Sequence, residues 1–135
     1  MSDAVAMSET AAMSDAVVVS GLFSRALAAG GALFAAIGIA LSAYAAHIAL
    51  GEGKAALQMA ALFAFGHGIA LAALAPRAVR TLAWLALAAM GLGVLLFSGS
   101  LGAAHFLGSP TTLAPVGGSL MILAWLVYAA DAMRR

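Results

Sequence analysis

The sequence predicts an all-α membrane protein, an antiparallel bundle of four transmembrane helices with both termini in the cytoplasm. The composition supports this class, because 65% of the 135 residues are hydrophobic and only 8% are charged, whereas a typical soluble domain is about 25% charged. So few polar side chains could not cover the surface of a soluble fold. The net charge of +1 and the lack of cysteine argue against nucleic-acid partners and a disulfide framework.

Four long runs of the chain contain no Asp, Glu, Lys or Arg. Each reaches the roughly 18 to 20 apolar residues that an α-helix needs to cross a hydrocarbon core about 30 Å thick. Transmembrane strands would alternate apolar and polar side chains, and these runs, dominated by Ala and Leu, do not. We therefore expect one four-helix domain over residues 21–135, with helices at about 26–50, 55–75, 81–107 and 113–133.

The segments between the predicted helices are short, so successive helices should run antiparallel. Pro76 and Pro110 lie in two of these connections. Proline breaks a helix because it has no amide hydrogen to donate. Basic residues accumulate at the cytoplasmic ends of transmembrane helices. In this topology only Lys54 falls on the far side, and the near, cytoplasmic side carries Arg25, Arg77, Arg80, Arg134 and Arg135.

The first 20 residues differ in composition from the rest. The pentapeptide Met-Ser-Asp-Ala-Val stands at 1–5 and again at 13–17, and the segment is acidic and rich in small residues. With little to bury, it is expected to be disordered, and without a basic start it does not resemble a secretory signal peptide. A duplicated or over-extended start explains it most simply, and a docking tail is the alternative.

Small residues recur at helical spacing in the first and third predicted helices, and they also begin the fourth. Such residues allow transmembrane helices to approach closely, so we expect packing seams here; the alternative is a pore or substrate path. The seams comprise Gly31, Ala35, Gly38, Ser42 and Ala45 in the first helix, Gly91, Ser98, Gly102 and His105 in the third, and Pro115, Gly117 and Gly118 in the fourth.

Three histidines lie within the runs that lack Asp, Glu, Lys and Arg. His47 and His105 lie near the far interface, whereas His67 lies about 18 Å from it by the helical rise. Ser42 and Ser98 come to a similar depth, so we expect their hydroxyls to partner His67 and link three helices. The functional alternative is that His67 binds a ligand or a proton. A haem bound by histidines of two subunits is a further alternative.

The motifs expected of an enzyme are missing. Ser98, Gly99 and Ser100 form a Ser-Gly-Ser sequence, but no Gly-x-Ser-x-Gly motif surrounds either serine. Cysteine is absent and suitable carboxylates do not accompany the histidines, so no zinc site is expected. We predict no enzymatic activity, no catalytic residues, no metal and no cofactor, with a dyad of Ser98 and His67 as a minor alternative.

Five short segments combine small, aromatic and histidine residues in a recognisable order. They are Ser-Ala-Tyr-Ala-Ala-His at 42–47, Phe-Ala-Phe-Gly-His at 63–67, Leu-Phe-Ser-Gly-Ser-Leu at 96–101, Ala-Pro-Val-Gly-Gly at 114–118 and Ala-Trp at 124–125. These segments resemble, in the same order, the motifs of the YgdD-like small inner-membrane proteins of bacteria.

The resemblance implies a four-helix protein of the bacterial inner (cytoplasmic) membrane, from a family with no settled biochemical activity. Phe63 and Ala64 stand where that family has Tyr and Gln, and Ser42 and Ala45 replace two of its glycines. These departures argue against a shared catalytic role for that region. The motif positions carried over as candidate functional or structural sites are His47, His67, Ser98, Gly99, Ser100, Pro115, Gly117 and Gly118.

Three functions follow from these observations. We expect a non-enzymatic accessory, structural or assembly factor that acts through helix packing, with membrane lipid and a larger membrane complex or further copies of itself as partners. The alternative is a homo-oligomeric channel or carrier for a small or lipidic solute. A membrane subunit that binds haem or a quinone through its histidines is the third.

Overall fold

The described part of the chain is helical. The structure, a computed structural model, describes residues 2–49, 51 and 53–134, with side chains from residue 7 onward. Within these residues it contains four α-helices and no strand, which confirms the all-α prediction. The elements are α1 (Ser2–His47), α2 (Gly53–Leu74), a turn of 3-10 helix (Ala75–Arg77), α3 (Thr81–Leu107) and α4 (Leu113–Met133).

The first helix differs most from the sequence expectation. α1 starts at Ser2 rather than near residue 26, so it includes the segment for which disorder is expected. The segment has no proline, its first glycine is Gly21, and it is rich in alanine, which favours helix. The side chains of residues 7–22 are all exposed, so the helical backbone here forms without burial against the rest of the chain.

The other helix ends have local causes. α2 gives way to the 3-10 turn at Ala75, next to Pro76. α3 ends at Gly108, which adopts a left-handed conformation with φ of 67°. Its amide donates to the Ala104 carbonyl oxygen, and the next amide, that of Ser109, donates to the Ala103 carbonyl oxygen, which is the common glycine-terminated helix end. α3 and α4 have the predicted bounds.

Glycine backbones bring α1 and α2 into contact. A Cβ added to Gly31 would lie 2.6 Å from the Gly68 carbonyl oxygen, and one added to Gly38 would lie 2.7 Å from the Phe65 amide nitrogen. As residue numbers rise along α1, those of the contacts on α2 fall. The predicted seam of the first helix is therefore a packing surface at these two glycines, although Ser42 of the same series is exposed.

A second glycine contact joins α3 to α4, but it uses a different residue of α3 from the one predicted. A Cβ on Gly117 would lie 2.6 Å from the carbonyl oxygen of Gly93, which is not in the predicted series. By contrast, a Cβ on Gly102 would meet nothing within 4 Å. Gly93 belongs instead to a second small-residue series of α3, with Ala86, Ala89 and Ser100, on a different face of the helix from the predicted series.

The core is small and aliphatic, and the outer surface is apolar. Exposed large hydrophobic side chains occur along all four helices. By length and composition, each of the four helices could cross a membrane, so the described residues fit a multi-pass membrane protein. The largest fully buried side chains are Leu57, Leu71, Leu87, Met90 and Val94.

Candidate functional site

His67 lies two thirds of the way along α2, among apolar residues. Its Nδ1 lies 3.0 Å from the carbonyl oxygen of Phe63, one turn earlier on the same helix. A carbonyl oxygen can only accept, so Nδ1 carries the hydrogen and donates it. The expected link to serines is not formed: Ser98 bonds elsewhere, and Ser42 lies in a groove between α1 and α2 that His67 does not line. The helical rotation of α2 turns His67 toward α4.

Two aromatic rings lie beside the imidazole. The Phe63 ring stacks on it with centroids 5.5 Å apart and planes only 11° from parallel. Trp125 of α4 lies on another side, with its centroid 6.2 Å from that of the imidazole. Phe97 of α3 contacts Phe63 in turn, at 4.7 Å. Three helices therefore contribute to an aromatic cluster around His67.

A pocket of about 270 Å³ opens beside this cluster on the outer face of α2 and α4. Gly66 forms part of its wall, and a Cβ placed there would meet nothing within 4 Å. Trp125 is 40% exposed, so the pocket is open to the surroundings of the protein rather than sealed in its core. Its lining comprises Leu62, Phe63, Gly66, His67 and Trp125.

The two serines of the Ser-Gly-Ser motif are both buried but differ in their partners. Ser98 Oγ donates a 2.8 Å hydrogen bond to the carbonyl oxygen of Ala60 on α2. Ser100 Oγ has no hydrogen-bond partner among the described residues. Gly99, between them, is exposed. Neither serine is brought to His67, so the alternative of a Ser98–His67 dyad has no geometric support.

The motif at the start of α4 is structural in its contacts. Gly117 is buried against Gly93 and Phe97, whereas Gly118 faces the edge of the Phe97 ring, 3.8 Å from where its Cβ would be. Pro115 is exposed, and its carbonyl oxygen accepts a hydrogen bond from Ser119. These residues fix how α4 approaches α3.

The other two histidines lie far along the chain from His67, near helix ends. His47 is the exposed last residue of α1. His105 packs edge-on against Tyr44 and Phe106, with centroid distances of 5.7 and 4.9 Å. Across the described residues, no three His, Cys, Asp or Glu side chains come close enough together to hold a metal ion.

The structure contains an ion pair that the sequence did not predict, at the other end of α3 from His105. Asp131 of α4 is 3% exposed, and its carboxylate lies 3.6 Å from the guanidinium of Arg80, just before α3. Arg80 also donates to the backbone carbonyl oxygen of Arg134. The sequence did contain a signal for this pair, because Asp131 is the one acidic residue after position 52. It lies near the end of α4, which meets the start of α3 when the two helices run in opposite directions.

Four apolar helices around a small core define the class of this protein as an apolar helical bundle with the properties of a multi-pass membrane protein. No family model, curated protein or solved structure matches the chain.

Proposed function

We propose that the protein is a non-enzymatic accessory or assembly factor of the bacterial inner membrane, related to the YgdD-like proteins. Its four helices form an antiparallel, up-down-up-down bundle with both termini in the cytoplasm. In this proposal the bundle anchors the protein in the bilayer, and the N-terminal part of α1 extends from it to contact a partner membrane complex.

The placement of the basic residues supports the proposed orientation. Ser24 Oγ donates to the Ala75 carbonyl oxygen, which brings Arg25 near the 3-10 turn that ends at Arg77. The contact between Arg80 and Arg134 adds the chain's C-terminal end to the same group. The bias of arginine toward the cytoplasmic side favours an orientation with this end of the bundle inside. Arg135, counted with these residues in the sequence, lies outside the described residues.

One observation carries the proposed role, namely the contrast between the two parts of α1. From Gly31 onward the helix packs on α2 through glycine backbones, whereas residues 7–22 expose every side chain. At a rise of 1.5 Å per residue the 46-residue helix is about 69 Å long, more than twice the hydrocarbon thickness. The exposed part is thus long enough to reach a partner beyond the bundle.

Native mass spectrometry of the protein purified in mild detergent tests this role. We expect the full chain to travel with a second membrane protein at fixed stoichiometry. Removal of residues 2–20 should abolish that association and leave a monomer whose helical circular dichroism per residue is retained. A defined homo-oligomer that retains a lipid or solute, unchanged by this truncation, would contradict the proposal and favour the channel or carrier function.

A further inference from the structure

The second ring nitrogen of His67 has no hydrogen-bond partner within the part of the chain that the structure describes. Because Nδ1 donates its hydrogen to the Phe63 carbonyl oxygen, the uncharged imidazole has its lone pair on Nε2. Phe63 stacks on one face of the imidazole, and Trp125 lies beside the ring at a tilt. The bond from Nδ1 fixes the tautomer of the imidazole, and Nε2 is therefore a hydrogen-bond acceptor to which no described residue donates.

Water is a poor source of that donor at this depth. By the helical rise, His67 lies about 21 Å from the start of α2 at Gly53 and about 10 Å from its end at Leu74, inside a segment apolar enough to span a membrane. Polar groups in that region find partners in the protein or mark a path or binding site for another molecule. A donor for Nε2 must then come from a molecule that dissolves in the bilayer.

The shape of the pocket limits what this molecule can be. At about 270 Å³ the pocket is just below the roughly 300 Å³ at which small-molecule sites begin, so it holds a ring-sized group rather than a whole lipid. The open space at Gly66 gives the ring room, and Phe63 and Trp125 offer faces on which it can stack. The opening on the outer face leaves an attached hydrocarbon tail in lipid.

We propose that this pocket binds the aromatic hydroxyl head group of a lipid-soluble hydroquinone or phenol, whose O–H donates to His67 Nε2. The site is separate from the exposed part of α1, so the proposal goes beyond the accessory role and does not depend on it. A quinone in its oxidised form lacks the hydroxyl donor and should bind more weakly than the hydroquinone.

Tryptophan fluorescence of the full-length protein in lipid nanodiscs tests the proposal. Trp84→Phe leaves Trp125, in the pocket wall, as the sole tryptophan. Titration with a decyl-substituted hydroquinone should change its emission saturably. The matched dimethyl ether, which keeps ring and tail but has no O–H, should bind about tenfold more weakly, as for loss of one hydrogen bond.

Two variants separate the pocket from general partition into lipid. Gly66→Leu fills the open space and should abolish saturable binding, whereas Gly30→Leu, at an equally open position on α1, should not. His67→Phe keeps a ring but removes the acceptor, so it should bind the hydroquinone and its ether with equal affinity. Circular dichroism confirms that each variant is folded. Non-saturable emission changes, equal affinity for both compounds in the unmodified pocket, or indifference to Gly66→Leu would overturn the proposal.

Discussion

The hydroxyl of Ser98 on α3 donates a 2.8 Å hydrogen bond to the backbone carbonyl oxygen of Ala60 on α2. Both residues are buried, and the bond joins two helices within the predicted span. Hydrogen bonds between transmembrane helices stabilise by roughly 0.6 kcal/mol on average and less than about 2 kcal/mol at most. This bond ties the Ser-Gly-Ser motif to the packing of α2 rather than to chemistry at His67.

Ser98→Ala should lower the free energy of unfolding by about 1 kcal/mol, because it removes this bond. Ser100→Ala is the matched control: Ser100 is equally buried, but its hydroxyl has no partner among the described residues. Its replacement should therefore be neutral or stabilising. Thermal unfolding in detergent, followed by circular dichroism, measures both. Equal destabilisation by the two substitutions would contradict the assigned bond.

Two glycines of α2, two residues apart, should respond oppositely to alanine. A Cβ on Gly68 would lie 2.6 Å from the Gly31 carbonyl oxygen and from the Ala35 amide nitrogen, whereas a Cβ on Gly66 meets nothing within 4 Å. Gly68→Ala must push two backbones apart and should cost about 1 to 3 kcal/mol or more. Gly66→Ala should leave stability unchanged or slightly raised.

The same unfolding measurement checks the glycine pair. A Gly68→Ala protein as stable as the unmodified one would mean that α1 and α2 do not meet at these backbones. Gly117→Ala extends the test to α4, since its Cβ would lie 2.5 Å from the Phe97 amide nitrogen. It should destabilise as Gly68→Ala does.

The Arg80–Asp131 pair should show an asymmetry between its partners. Arg80→Gln leaves a carboxylate that is 96% buried without its cation, whereas Asp131→Asn leaves a guanidinium that is 44% exposed and still solvated. We expect Arg80→Gln to lower the free energy of unfolding by about 1 to 2 kcal/mol, which is less than for a fully buried pair because Arg80 is partly exposed. Asp131→Asn should lower it by less.

A matched control for the ion pair is Arg77→Gln. Arg77 is exposed and donates to the Ala73 carbonyl oxygen within its own helical segment, so its loss should change stability little. Chemical denaturation in detergent gives the three values, and the double variant Arg80→Gln/Asp131→Asn gives the coupling between the partners. A coupling of zero would show that the two charges do not interact.

The sequence predicts the helices well because a long run without charged residues is a strong signal for a transmembrane helix. The bounds of α3 and α4 follow from Gly108, Pro110 and the charges beside them, and the structure agrees. The start of α1 was not predictable in this way. Residues 2–20 have few side chains that a fold could bury, but many of them favour helix. Composition there indicates disorder and backbone propensity indicates helix.

Side-chain partners were harder to predict than helices. Depth along the helices placed Ser98 level with His67, but depth says nothing about which way each helix is rotated. In the structure His67 turns toward Trp125 and Ser98 toward Ala60. The glycine contacts divide for a similar reason. Gly31 and Gly38 belong to the predicted series of the first helix, whereas Gly93 lies on a face of α3 that the predicted series of that helix does not follow.

The transmembrane topology is the premise of the whole account, and cysteine accessibility tests it most directly. The chain has no cysteine, so single exposed replacements can be made in two connections, Val79→Cys before α3 and Thr111→Cys before α4. In intact spheroplasts a membrane-impermeant maleimide should label Thr111→Cys, and it should label Val79→Cys only after permeabilisation. Labelling of both without permeabilisation, or the reverse pattern, would contradict four membrane crossings with cytoplasmic termini.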